Sequence, residues 1–121
     1  MRFHHVNLAV HPDQLDAEIQ FLCDGLGLRR VEPPPELADR ARWYELPDGV
    51  QIHLSRTREP FTTDPGHVAV DVGDDLPAIE ARLAAAGRLP AGDEGVRPGV
   101  RIVHDPAGHM WELRTSALAR R

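Results

Sequence analysis

Seven histidines, one cysteine and nineteen acidic residues make up the chain's stock of metal- and proton-handling side chains. Two of the histidines sit in nearly the same phrase: residues 4–10 read HHVNLAV and residues 66–72 read GHVAVDV. Both phrases alternate as half-buried strands do. Val6, Leu8 and Val10 share one face, leaving His5 and Asn7 on the other; Val68, Val70 and Val72 share one face, leaving His67 and Asp71 on the other. The same parity in VQIHLSR (50–56) sets His53 opposite Ile52 and Leu54, and in HMWELR (109–114) it sets Glu112 opposite Trp111 and Leu113. His53 follows His5 by 48 residues and Glu112 follows His67 by 45, so the two pairs hold matching places in two similar stretches.

Three imidazoles and one carboxylate on inward faces form a donor set for a divalent metal such as Zn, Ni, Fe or Mn. A lone strand histidine is ordinarily just hydrogen-bonded, and a lone Glu112 would ordinarily be a solvated edge residue. Four such residues in register with an internal repeat point instead to a site. His4, His104 and His109 share parity with the apolar sets and are expected to point outward or to sit at strand ends, and His11 lies at a helix entry. Asn7 and Asp71 share the inward faces and are candidates to orient ligands or substrate. Arg101, read with inward parity alongside Val103, is a candidate to meet a substrate carboxylate. Cys23 cannot form an intramolecular disulfide, which suits a reducing cytoplasm, and packing within a helix is its expected role.

The elements that must carry these residues recur in order. After the first strand, HPDQLDAEIQFLCDGLGL has helical spacing at Leu15, Ile19, Leu22 and Leu26, with Asp13 as its expected N-cap and Gly25 and Gly27 as its stop. A short strand near 28–32 ends at the prolines 33–35, and RARWYEL and VQIHLSR flank the turn signal PDG as a hairpin. A polar loop follows. GHVAVDV then begins the order again, with Asp74 or Asp75 capping a helix through Leu76, Ile79 and Leu83 to Gly87. A Gly/Pro-rich stretch, 88–99, takes the place of the second strand, and VRIVH and HMWELR flank DPAG as a second hairpin. The expected fold is α+β: one domain over 1–121, built from two tandem βαβββ modules (1–56 and 66–115) joined by the loop 57–65. Half a chain of this length has too little core to stand comfortably alone.

Composition excludes several classes. At 41% hydrophobic and 27% charged, the 121 residues are those of a globular chain. A net charge of −5 argues against nucleic acid, and the short basic runs RTR (56–58) and ARR (119–121) do not reverse it. No apolar run is long enough for a membrane span, and the first residues lack a signal-peptide pattern.

HHVNLAV, FLCDGLGL, QIHLS, GHVAVDV, LPAIEARLAAAG and HDPAGHMWELR together resemble the vicinal oxygen chelate superfamily over almost the whole chain. That superfamily includes glyoxalase I, methylmalonyl-CoA epimerase, extradiol dioxygenases, fosfomycin-resistance transferases and bleomycin-resistance proteins. The resemblance implies paired modules curling a mixed sheet into a cup, helices outside, with a divalent metal (Zn, Ni, Fe, Mn or Co) inside. It implies that His5, His67 and Glu112 are metal ligands. His53 stands where glyoxalase I has a glutamate and the epimerase a glutamine, so it is either a fourth ligand or a general base. Asn7 departs from the fosfomycin-transferase pattern, which has a threonine two positions after the first histidine. The activity implied is lyase or isomerase chemistry on a small molecule through metal-chelated vicinal oxygens, with His53 and Glu112 catalytic. The alternatives are an extradiol-type dioxygenase and a metal-free drug-binding protein of the bleomycin-resistance kind. A cytoplasmic homodimer is expected, with each site held in one chain or shared between two.

Overall fold

The computed structural model describes residues 1–60, 62, 65–92 and 95–115; the basic C-terminal run lies outside the described residues. The chain divides into two units, Met1–Phe61 and Thr62–Arg121, so the division falls inside the polar loop.

In the first unit the alternating phrase forms β1 (His5–Val10). Its exit is capped by His11, whose Nδ1 accepts the backbone N–H of Asp13 at 3.1 Å. The expected Asp13 cap is thus corrected: Asp13 lies within a 3-10 turn, Pro12–Gln14, and supplies the capped N–H rather than the capping oxygen. Pro12 suits this first position because it has no N–H to satisfy. The turn leads into α1 (Leu15–Gln20) and then a wider π-helical turn, Phe21–Gly25. β2 (Arg29–Val31), β3 (Ala41–Glu45) and β4 (Gln51–Arg56) complete the unit. The sheet order is β1-β4-β3-β2, with β1 parallel to β4 and the other pairs antiparallel.

The second unit repeats this order with β5 (His67–Asp71), α2 (Leu76–Ala85), β6 (Val96–Arg97), β7 (Val100–His104) and β8 (Met110–Arg114). Its sheet order is β5-β8-β7-β6, with β5 parallel to β8. The architecture is therefore α+β, with βαβββ occurring twice.

The helix ends show how closely the repeat is kept and where it slips. In the second unit, Arg88 N–H bonds Leu83 O at 2.8 Å across Gly87, whose φ is +71°; this left-handed glycine closes a Schellman turn. In the first, Leu28 N–H bonds Leu22 O at 2.9 Å across Gly27, φ +78°, one residue wider. The extra residue is absorbed by the π turn, where Leu26 N–H reaches Phe21 O at 2.9 Å. Gly27 alone is therefore the stop, and Gly25 is buried inside the π turn.

Each sheet buries one face. In the first unit Leu8, Val10, Tyr44, Ile52 and Leu54 are buried, along with Phe21, Leu22 and Leu26 from the helical segment; in the second, Val103, Trp111 and Leu113 are buried, along with Leu76, Ile79 and Leu83 from α2. Fully burying side chains of this size contributes about 1.5–3 kcal/mol each. Among the described residues, no helix is long and apolar enough to cross a membrane.

Candidate functional site

Sheet register places the four candidate residues at equivalent points. His5 opens β1 and His67 opens β5. His53 pairs with Asn7, two residues beyond His5, and Glu112 pairs with Ala69, two residues beyond His67. All four lie on the face opposite the buried apolar set, which is what strand parity requires.

In the first unit this face holds a stack of three aromatic rings. The His53 imidazole lies between His5, with centroids 3.9 Å apart and planes 17° apart, and Trp43, 4.0 Å and 3°. Trp43 arrives there because β3 pairs it with His53. His53 is only 7% exposed, and its Nε2 lies 2.8 Å from Gln51 Oε1. A side-chain carbonyl oxygen only accepts, so this bond places the ring proton on Nε2 and the lone pair on Nδ1. Burial, followed by the neighbouring His5 and His4, pushes the His53 pKa down to about 4. His53 is therefore a neutral imidazole at neutral pH. His5 Nδ1 lies 2.8 Å from His4 Nδ1, so one of the two donates to the other. His4 is thus a neighbour of the candidate site, where parity alone had it pointing away.

In the second unit the same face is ionic. His67 Nδ1 lies 3.0 Å from the carbonyl oxygen of Pro65, which places a proton on Nδ1, and its Nε2 faces Glu112 Oε1 at 3.7 Å. Glu112 accepts a hydrogen bond from Arg114 Nη1 at 2.7 Å on Oε2, and Arg97 Nη2 stands 3.9 Å from Oε1. The Arg114 hydrogen bond holds the Glu112 carboxyl below the usual carboxylate range; burial opposes it, and the charges of Arg114, His67 and Arg97 assist it. The carboxylate is ionised and half-sheltered, with its side chain 13% exposed.

His67 and Glu112 fit a divalent metal. Their facing donor atoms are separated by little more than two ligands of one ion require, and a carbonyl-held Nδ1–H is the usual outer support of a metal-binding imidazole. His5 fits through Nε2 when its Nδ1–H is given to His4. His5 and His53 do not fit as joint ligands in their stacked arrangement. Planes inclined at 17° across a ring stack intersect only about 10 Å or more away, whereas a bound ion lies in each ring plane at about 2.0–2.1 Å. Among the described residues, no three or more His, Cys, Asp or Glu gather as a metal-holding group.

The remaining candidates have other employment. Asn7 Oδ1 accepts the Ser55 hydroxyl at 2.7 Å, and Asp71 Oδ1 accepts Gly73 N–H at 2.9 Å in the turn after β5. Arg101 is a correction. Its strand register sets it beside Leu113, on the buried side, and it binds Glu80 of α2 through Nε and Nη2, each at 2.7 Å. His109 sits at a strand end as expected, just before β8, and is buried there, while His104 ends β7 exposed but on the face of Glu112. Cys23 lies in the π turn, half-buried, with burial pushing its thiol pKa up, as suits packing.

Two groups were not selected from the sequence. Asp105 is buried and accepts both His109 N–H at 2.8 Å and Trp111 Nε1–H at 2.9 Å, fastening the second hairpin. Its place just before Pro-Ala-Gly in a turn is the signal that could have found it. Tyr44, on the buried face, has no hydrogen-bond partner for its hydroxyl among the described residues, and burial pushes its pKa up to about 12.

Comparison with known proteins agrees with this architecture. The sequence model of the Glyoxalase/Bleomycin resistance protein/Dioxygenase superfamily matches residues 2–113. No curated protein matches the sequence. Among solved structures, a glyoxalase family protein from Bacillus anthracis is 22% identical with a TM-score of 0.75, covering 93% of each chain. A glyoxalase/dioxygenase from Nostoc punctiforme is 24% identical with a TM-score of 0.73, over 93% of this chain and 89% of its own. A mutant of the fosfomycin resistance protein FosX from Listeria monocytogenes, complexed with Mn(II) and 1S,2S-dihydroxypropylphosphonic acid, is 18% identical with a TM-score of 0.73, over 97% and 94%.

Proposed function

The chain belongs to the Glyoxalase/Bleomycin resistance protein/Dioxygenase superfamily, and from that premise we propose that it is a divalent-metal-dependent enzyme acting on a small molecule with two neighbouring oxygens. His5, His67 and Glu112 hold the metal, and His53 is the base that moves a substrate proton; to be a fourth ligand beside His5 its ring would have to leave the stack. The observation that carries this reading is the facing of His67 Nε2 and the Glu112 carboxylate, 3.7 Å apart, on a sheet whose partner repeat sets histidines at the equivalent points.

The metal supplies Lewis acidity toward the two oxygens. The chain's own contribution is the holding and orienting. Pro65 holds the Nδ1–H of His67 and so directs Nε2 to the ion, Arg114 steadies the unused oxygen of Glu112, and His4 can take the Nδ1–H of His5. His53 is neutral at the pH of a cell, so its lone pair is open to a proton, and its lowered pKa means that a proton it accepts is readily given up again. The reading favours lyase or isomerase chemistry. An extradiol-type dioxygenase is the second reading, favoured by the ligand set left when His53 stands apart: two histidines and one carboxylate, the facial arrangement of non-haem iron. We take the protein to act as a cytoplasmic homodimer.

Elemental analysis of untagged protein tests this. A near-stoichiometric divalent metal is expected, with Ni, Zn or Co favouring isomerisation and Fe favouring oxygen chemistry. Protein that remains metal-free after growth and dialysis in each of these ions would overturn the reading in favour of a metal-free binder.

A further inference from the structure

Resting on the metal-dependent reading, we infer that Trp43 and Gln51 are positioning residues that clamp His53 outside the metal's coordination shell, with Nδ1 as its open, proton-accepting atom. The stacked geometry carries the first half. Between His5 on one side and Trp43 on the other, the His53 ring is fixed in a plane nearly parallel to both neighbours. If His5 binds the ion in its own ring plane, the ion lies out of the plane of His53, and an imidazole lone pair lies within its ring plane. For His53 to ligate, its ring would have to turn out from between two aromatic faces.

Gln51 carries the second half. Rotation of His53 would break the 2.8 Å bond from Nε2–H to Gln51 Oε1, which also determines which nitrogen is protonated. Gln51 reaches His53 because the two lie two residues apart on β4, on the same face. The clamp is particular to the first unit. In the second, the residues at the places of Trp43 and Gln51 are Ile102 and Met110, neither of which can stack on or hydrogen-bond the central residue in this way. His53 thus has a fixed plane, a fixed tautomer and one lone pair, which is what a directional proton acceptor requires.

The test is nitrogen-15 NMR of the imidazole rings, read first on metal-stripped protein and then during titration with Zn(II) alone. In stripped protein His53 is expected as a single tautomer, protonated at Nε2. Gln51→Leu is expected to convert it to a mixture, and Trp43→Ala to broaden or mix it while Trp43→Phe largely restores it. On adding Zn(II), a ring nitrogen of His5 and one of His67 take metal-bound shifts and those of His53 do not. In parallel, His53→Gln keeps its Zn(II) affinity within about 3-fold, whereas His5→Ala loses at least about 10-fold. A mixed tautomer in stripped wild-type protein, a metal-bound shift at His53, or equal affinity losses in His53→Gln and His5→Ala would each overturn the inference. Wild-type protein that binds no Zn(II) would instead refute the functional reading, with the clamp still decided by the stripped spectra.

Discussion

Across the central row of each sheet the two units put different chemistry on the same backbone. In the first the row runs Asn7, His53, Trp43; in the second it runs Ala69, Glu112, Ile102. The central residue of the first is a neutral imidazole held by an aromatic ring and a side-chain amide. The central residue of the second is an ionised carboxylate held by guanidinium groups. Even the direction of support differs. Gln51 reaches forward two residues along its strand to His53, whereas Arg114 reaches back two residues to Glu112. A duplicated scaffold thus decides where donors stand, and their immediate neighbours decide what charge they carry.

The two β-hairpins give the largest expected contrast. Asp105 fastens the second from a buried position, whereas the Asp48 side chain in the first accepts an exposed hydrogen bond from Val50 N–H at 3.1 Å. Asp105→Ala is expected to cost about 3 kcal/mol or more, because it strands two buried donors that now share one carboxyl group. Asp48→Ala is expected to cost less than about 1 kcal/mol. Urea unfolding of both variants checks this, and equal costs would break the contrast.

Next in size is the response to acid of metal-stripped protein. His53 has its pKa lowered in the fold from its usual 6.5 to about 4, so the unfolded chain binds the proton more readily. Its stabilising share is complete above about pH 6.5 and is lost as pH falls through about 4, a change of up to about 3 kcal/mol. Glu112 is also lowered, so its share is present above the usual carboxylate range and is lost only below it. The stability of His53→Phe is therefore expected to fall less than that of wild type between pH 6.5 and 4. Arg114→Ala is expected to change the profile only at lower pH. Unfolding midpoints measured across that range separate the two, and identical profiles for His53→Phe and wild type would contradict the assignment.

The smallest effect concerns the buried faces. Tyr44 of the first unit stands where the second has Val103, and its hydroxyl has no partner among the described residues. Tyr44→Phe is expected to stabilise the protein by about 1 kcal/mol, measured by thermal unfolding, since an apolar group of the same shape removes an unpaired buried hydroxyl.

The strands, their parity and the duplicated order were legible because period-2 alternation is a short-range property of the residues themselves. His5, His53, His67 and Glu112 could be chosen for the same reason. Arg101 was misplaced because VRIVH offers apolar residues on both parities; its register with Leu113 and its bond to Glu80 come from partners far along the chain. The Trp43–His53–His5 stack was likewise hidden, because it joins three strands through sheet register and not through local spacing. His11 displaced Asp13 as the cap because a ring nitrogen met the N–H first, a choice made by backbone direction at the strand exit.

Calorimetric titration of metal-stripped protein with Mn(II), compared with His5→Ala and His67→Ala, tests most directly whether the two repeats supply donors to one ion. A single binding event near one ion per chain is expected in wild type, with loss of that same event in either variant. Two independent events, each removed by only one of the substitutions, would contradict it.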